Sequence, residues 1–257
     1  MIQYYIVDAF ADGPFTGNPA GVCLLEEPLP EVLMQQIAAQ NNLAETAFVC
    51  KNGDDYDLRW FTPATEINLC GHATLASAFA LYNFDEPKKE YCYHTASGML
   101  TVTPQGELFE MDFPAWPVKP VEITPDMHYA VDGILEAHLG RDLFLLLENE
   151  AAVQNYQPDF AAIAAIPDCF AIGITAKGDS CDFVSRMFGP NVGIPEDPVT
   201  GSTHSSLVPF WAARLGKDTL VARQLSQRGG TLYCENCGER VKIAGKARWY
   251  LTGELYV

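Results

Sequence analysis

Arg59-Trp60-Phe61-Thr62-Pro63 and Arg186-Met187-Phe188-Gly189-Pro190 share the pattern R-x-F-x-P, and the two arginines lie 127 residues apart in a chain of 257. Twice that spacing is nearly the whole chain. One short match arises easily by chance, so the flanking sequence has to show whether the chain repeats itself. Upstream of the first copy, Leu29-Pro30 leads into a stretch with Leu33, Met34, Ile37 and Ala38 at helical spacing; upstream of the second, Pro158-Asp159-Phe160 leads into Ile163 and Ile166. Strand-like runs follow, Glu45 to Cys50 in one half and Phe170 to Ile174 in the other, and a further strand enters each R-x-F-x-P motif, at Tyr56-Asp57-Leu58 and Cys181 to Val184. After the motif each half has a loop and then a glycine opening a helix, Gly71-His72-Ala73-Thr74 and Gly201-Ser202-Thr203-His204. Strands around small-residue turns come next, at Ser97-Gly98 and Gly229-Gly230. The same elements in the same order point to a duplicated unit of domain size, too long for a solenoid repeat.

The two glycine-led helices indicate how each unit closes. Leu75, Ala76, Ala78, Phe79, Ala80 and Leu81 leave hardly a polar face on the first, and Leu207, Val208, Phe210, Trp211, Ala212 and Ala213 do the same on the second. A helix apolar all round is covered on all sides. The expected fold is therefore α+β: two pseudo-symmetric domains, residues 1–118 and 119–257, each a barrel-like sheet wrapped around one central helix. The first turns of those helices are expected to face a cleft between the halves.

Composition limits what could enter that cleft. With 33 acidic and 16 basic side chains the formal charge is −17, a field that repels phosphate backbones and anionic lipid heads. Neither nucleic acid nor a membrane surface is expected as a partner, and no apolar run is long enough to span a bilayer. Met1 to Asp8 reads as a strand, without the basic start of a signal peptide. The eight cysteines mostly sit singly in apolar runs, consistent with reduced thiols in the cytoplasm. An anionic metabolite would need local donors, and helix N-termini provide them. Gly71, Ala73, Thr200 and Gly201 mark the two candidate cradles, although simple N-capping by Thr200 or Ser202 explains many such turns.

Glu45 is the single charge among Asn42-Leu43-Ala44-Glu45-Thr46-Ala47-Phe48-Val49. It reads either as a solvated strand end or as a carboxyl tuned by burial to exchange protons near neutral pH. His72, in the first turn of a buried helix, is its natural partner. Asp197, ahead of the second helix, is favoured there by the helix dipole whatever else it does.

At these residues the chain resembles the phenazine-biosynthesis PhzF-like family, relatives of diaminopimelate epimerase in fold. The segments that carry the resemblance are Val7 to Phe10, Phe15 to Val22, Asn42 to Phe48, Arg59 to Pro63, Leu69 to Thr74 and Pro195 to Ser202. The resemblance implies a homodimer of two-barrel chains and a cofactor-free isomerase with no metal. Its catalytic residues fall on Glu45, His72, Asp197 and Ser202. The implied reaction moves a proton between carbons of a small cyclic carboxylate, with Glu45 as shuttle and the glycine-turn amides around the substrate. The epimerase relatives use two opposed cysteines; here Cys70 matches one place, and Asp197, Val199 and Thr200 leave no thiol at the other. A two-thiol racemase is thus disfavoured, and Cys70 is expected to be packing or a remnant. Residues 127–157 carry no functional signal.

Three rivals are weaker. A Ser202 or Cys70 nucleophile lacks a G-x-S-x-G elbow. Cys234-Glu235-Asn236-Cys237 is one C-x-x-C with no second ligand pair, more often a turn than a zinc site. A non-catalytic carboxylate-binding protein would use the same cradles, but gains nothing from a carboxylate such as Glu45 beside its ligand.

Overall fold

The computed structural model describes residues 1–84 and 87–257. It divides into two compact units, residues 1–112 with 244–257, and residues 113–243. In chain order the first unit has β1 (Ile2–Ala9), β2 (Asn18–Leu25), α1 (Glu31–Asn41), β3 (Glu45–Asn52), β4 (Asp55–Phe61), β5 (Glu66–Ile67), α2 (Gly71–Phe84), β6 (Tyr91–Thr95), β7 (Gly98–Gln105) and β8 (Leu108–Pro114). The chain continues through β9 (Lys119–Val121), α3 (Pro125–Ala130), β10 (Glu136–Leu139), β11 (Leu143–Leu146), α4 (Glu150–Asn155), α5 (Phe160–Ala164), β12 (Ile172–Lys177), β13 (Phe183–Gly189), a 3-10 turn at Pro190–Val192 and β14 (Ile194–Asp197). The last elements are α6 (Gly201–Leu215), β15 (Thr219–Gln224), β16 (Gly230–Asn236), β17 (Arg240–Gly245) and β18 (Ala247–Leu255).

The repeat is present in the strand pairing. In the first unit β1 runs antiparallel to β2, β2 parallel to β3, β3 antiparallel to β4, β4 parallel to β6 and β6 antiparallel to β7. The second unit repeats that alternation through β10, β11, β12, β13, β15 and β16. The R-x-F-x-P motif has the same task in both. Arg59 forks onto Glu66 with two bonds of 2.7 Å, tying β4 to β5; Arg186 forks onto Glu196 at 2.7 and 3.0 Å, tying β13 to β14. Each guanidinium also lies 5.2 Å from the motif's own phenylalanine ring, Phe61 or Phe188.

Within the first unit α2 packs against β1, β2, β3, β7 and β18, so the sheet curls around it. The helix is buried from Gly71 through Ala78 and again at Ala80 and Leu81, emerging only in its last turn. In the second unit α6 touches β15 and β16. Its Trp211 donates to Thr175 of β12 at 3.0 Å and stacks on Phe183 of β13. Pro209 inside α6 cannot donate to the Ser205 carbonyl four residues back; the Trp116 N–H takes that carbonyl at 2.9 Å. This helix is less enclosed than its sequence suggests, since Ala213 and Arg214 are exposed.

The sequence division at 118/119 differs from the observed one at both ends of the second unit. Residues 113–118 group with the second unit, and residues 244–257 group with the first. The cause of the latter is β18, which pairs antiparallel with β1 from Ile2↔Leu255 to Ala9↔Ala247.

Candidate active site

Glu45 is the first residue of β3, directly after the chain leaves α1 through Asn42, whose left-handed backbone (φ 51°) caps the helix by bonding Ala38. This sharp exit places Glu45 beside Ala20 of β2, where it is only 6% exposed. His72, 4% exposed, sits one residue into α2. Its Nε2 lies 3.2 Å from Glu45 Oε2, although the pair is too poorly aligned to count as a formed hydrogen bond. Glu45 Oε1 has no hydrogen-bond partner among the described residues.

The other side of the His72 ring is also engaged. Nδ1 is 3.2 Å from Asn18 Nδ2 and 3.5 Å from Cys70 Sγ. Cys70 accepts the Ala73 N–H on its sulfur, so the thiol caps the start of α2. Burial first, and then the Glu45 carboxylate, pushes the Cys70 thiol up, which keeps its proton in place as a donor toward Nδ1. Burial works to lower the His72 pKa; the Cys70 and Glu45 groups beside it outweigh that and hold it well above the ordinary value. Cys70 is thus part of the network, beyond the packing role expected of it, and one of the amides expected to face substrate, that of Ala73, faces this sulfur. Gly71 and Ala73 are both fully enclosed in the first turn.

Among the described residues Glu45, Cys70 and His72 form the one group of three His, Cys, Asp or Glu side chains close enough to share a cation, with ligand atoms within 4.8 Å of one another. Their directions do not suit one. Glu45 faces Nε2 and Cys70 faces Nδ1, and the lone pairs of these nitrogens diverge across the ring. A cation bound to either nitrogen could reach the third ligand only if the ring turned. The arrangement runs from thiol and amide, both against Nδ1, through the imidazole to a carboxylate 3.2 Å from Nε2.

In the second unit the expected residues form a separate, well-tied group. Thr200 precedes α6 but does not cap it with its hydroxyl. That hydroxyl donates to Asp197 Oδ2 at 2.5 Å. Gln224, fully buried at the end of β15, straps the turn: its Nε2 donates to the Asp197 carbonyl at 2.7 Å and to Thr200 Oγ1 at 3.2 Å, while its Oε1 accepts the Thr200 N–H at 2.9 Å. Gly201 is buried and Ser202 half-buried in the first helical turn. His204 donates Nδ1–H to the Thr200 carbonyl at 2.8 Å, matching the 2.5 Å bond from Thr74 to the Cys70 carbonyl at the start of α2. Asn18 and Gln224 were given no role by the sequence. Asn18 lies in the Phe15 to Val22 segment, but an uncharged amide in such a run gives no sign of which group it will meet, and nothing local marks Gln224 at all.

A cavity of about 280 Å³ at the far end of α2, lined among others by Phe79, Tyr82, Phe109 and Arg248, includes none of these residues. No helix among the described residues is long and apolar enough to cross a membrane.

The pairing pattern and curled sheets are those of the racemase and epimerase type of fold. At that level the chain is similar to a solved structure of a predicted epimerase from Pseudomonas aeruginosa, with a TM-score of 0.76 at 19% identity and full coverage of both chains. The chain belongs to the phenazine biosynthesis-like protein family, which it matches over residues 7–253. It is similar to a crystal structure of a phenazine biosynthesis protein of the PhzF family from Enterococcus faecalis, with a TM-score of 0.98 at 49% identity over 100% of both chains. It is also 48% identical to a protein of Pseudomonas aeruginosa named an uncharacterized isomerase, over 100% of this chain and 99% of that one.

Proposed function

We propose that this chain is a cofactor-independent isomerase that moves a proton between carbons of a small cyclic carboxylate, with Glu45 as the acid and base. The observation that carries the reading is the buried Glu45 carboxylate, whose Oε2 faces His72 Nε2 at 3.2 Å without a formed hydrogen bond. A carboxylate so held can take a C–H proton on Oε1 and return it to a different carbon of the same substrate. The reaction needs no electron carrier, because no electrons leave the substrate. His72 steadies Oε2 as the carboxylate charge comes and goes. The Gly71 amide precedes the helix's first internal bond and is suited to an anionic oxygen. Asp197 and Ser202, with the Thr200 and Gly201 amides, enter the proposal as groups that hold the polar substituents of the substrate. The isomerase names of the curated relatives support the reaction class.

The test is deuterium uptake from heavy water into cyclic carboxylates first selected by thermal shift, comparing wild type with Glu45→Gln. The variant should fold normally and lose exchange by about 10²- to 10⁴-fold, the usual contribution of a positioned acid–base group. Full exchange by Glu45→Gln removes the mechanism; binding without exchange by the wild type would make the chain a carboxylate-binding protein instead.

A further inference from the structure

Two side chains, Asn18 and Cys70, face the Nδ1 side of the His72 ring. Asn18 presents its amide nitrogen, which carries only hydrogens toward a neighbour, at 3.2 Å. Cys70 presents a thiol at 3.5 Å whose proton is retained. Asn18 requires Nδ1 to offer its lone pair, and the Cys70 thiol can donate in the same direction. The ring's single proton then belongs on Nε2, 3.2 Å from the Glu45 carboxylate. The opposite tautomer would set N–H against N–H on one side and a lone pair against a carboxylate on the other.

Asn18 is well placed to impose this choice. It is fully buried, opens β2 and pairs with Ala9. Gly17 before it has φ +77°, and a Cβ there would lie 2.3 Å from the Ala9 carbonyl, so only glycine lets the loop deliver Asn18 to that point. Burial opposes a second proton on the His72 ring, while Cys70 and Glu45 favour one more strongly. Nδ1 is where that proton would go, and the Asn18 N–H already points there. A doubly protonated ring would grip Glu45 as an ion pair, and charge-assisted hydrogen bonds are about twice as strong as neutral ones. That would make Glu45 a poorer base.

We propose that Asn18 is a positioning residue that places the proton of the singly protonated His72 ring on Nε2, so that Glu45 Oε2 meets a neutral donor and Oε1 is left to carry the substrate's proton. The catalytic part of this statement rests on the Glu45 reading above; the tautomer part does not. It can be read in the resting protein by ¹⁵N NMR of histidine-labelled chain, with His72 assigned from the resonance lost in His72→Gln. Above the His72 midpoint the wild type should show a protonated Nε2 and an unprotonated Nδ1. Asn18→Asp replaces the donor by a carboxylate, and an opposite charge at this distance shifts a pKa by about 1 to 3 units. The His72 midpoint should therefore rise by at least about one pH unit, a tenfold change in proton affinity. Its kcat should fall and the pH profile move, with KM little changed. If Asn18→Asp fails to fold, Asn18→Ser decides: its hydroxyl can donate or accept, so both tautomers should appear. A wild-type ring that carries its single proton on Nδ1, or a His72 spectrum and midpoint unmoved in the folded variants, overturns the proposal. Should Glu45→Gln retain exchange while the spectra behave as stated, the isomerase mechanism falls and the tautomer assignment stands.

Discussion

His204 gives the second unit a measurable dependence on acid. Its ring is fully buried in the first turn of α6 beside Phe183, Nδ1–H donates to the Thr200 carbonyl, and Nε2 has no partner. With no carboxylate beside it, burial dominates and pushes the pKa from 6.5 down to about 4. Above pH 6.5 the ring is neutral in both the folded and unfolded chain, and its contribution to stability is intact. As pH falls below that value the unfolded chain takes up a proton that the folded one refuses until about pH 4, so stability is lost across this window. Roughly 2.5 units at about 1.4 kcal/mol each gives a loss of about 3.5 kcal/mol. His204→Asn keeps a donor for Thr200 and removes the titration. At pH 7.5 the variant should be less stable by about 1 kcal/mol, a common cost for a buried substitution. Near pH 4.5 it should match or exceed the wild type. Urea titrations of both proteins between pH 7.5 and 4.5, followed by circular dichroism, measure the difference, and the carboxylates common to both largely cancel. A gap between the two proteins that stays constant with pH would show that native His204 titrates like a free histidine, and the account of the α6 start would fail.

The duplicated arginines separate in the same kind of assay. Arg186→Met leaves Glu196 and the Val153 and Tyr156 carbonyls without their donor in a buried setting, and should cost about 3 to 5 kcal/mol. Arg59→Met, whose side chain is 39% exposed, should cost at most about 1 kcal/mol; equal costs would refute the contrast. Gln224→Ala frees the Thr200 N–H and the Asp197 carbonyl, and should destabilise by about 1 to 3 kcal/mol. Hydrogen exchange at the Thr200 amide should quicken in this variant, and an unchanged rate would show that the strap does not hold the turn.

What the sequence disclosed and what it hid follow a physical division. The R-x-F-x-P pair was legible because each arginine needs a glutamate and an aromatic ring in fixed places, and both copies keep them. The central helices were legible because a covered helix has no polar stripe. Glu45 stood out as a lone charge at the head of an apolar strand. The return of β18 to β1 was hidden, since a pairing between Ile2 and Leu255 leaves no local pattern in either segment. Asn18 and Gln224 were hidden for another reason. Their amides act by which atom they turn toward a neighbour, and residue type alone does not say that. Thr200 looked like a helix cap, and its hydroxyl instead serves Asp197.

The two units keep one frame and diverge in chemistry at matching places. The 127-residue spacing of the arginines puts Ile172 opposite Glu45, and the pairing agrees: Glu45 lies beside Ala20 on β2, and Ile172 beside Leu143 on β11. Counting from Gly71 and Gly201, Cys70 corresponds to Thr200 and His72 to Ser202. One unit thus carries a carboxylate, an imidazole and a thiol close together. The other has an aliphatic chain and two hydroxyls in their places, with its carboxylate, Asp197, tied to a threonine. A reaction that removes and returns a proton with a single group needs only one such set, whereas a two-base racemisation needs one on each side. If the asymmetry has this meaning, solvent deuterium should be diluted by direct return of the substrate's own proton, because one shielded carboxyl both takes and gives it. Single-turnover product from a substrate deuterated at the labile carbon should then keep part of its label in ordinary water. Complete washout in every turnover would argue for separate donor and acceptor groups, and against Glu45 acting alone.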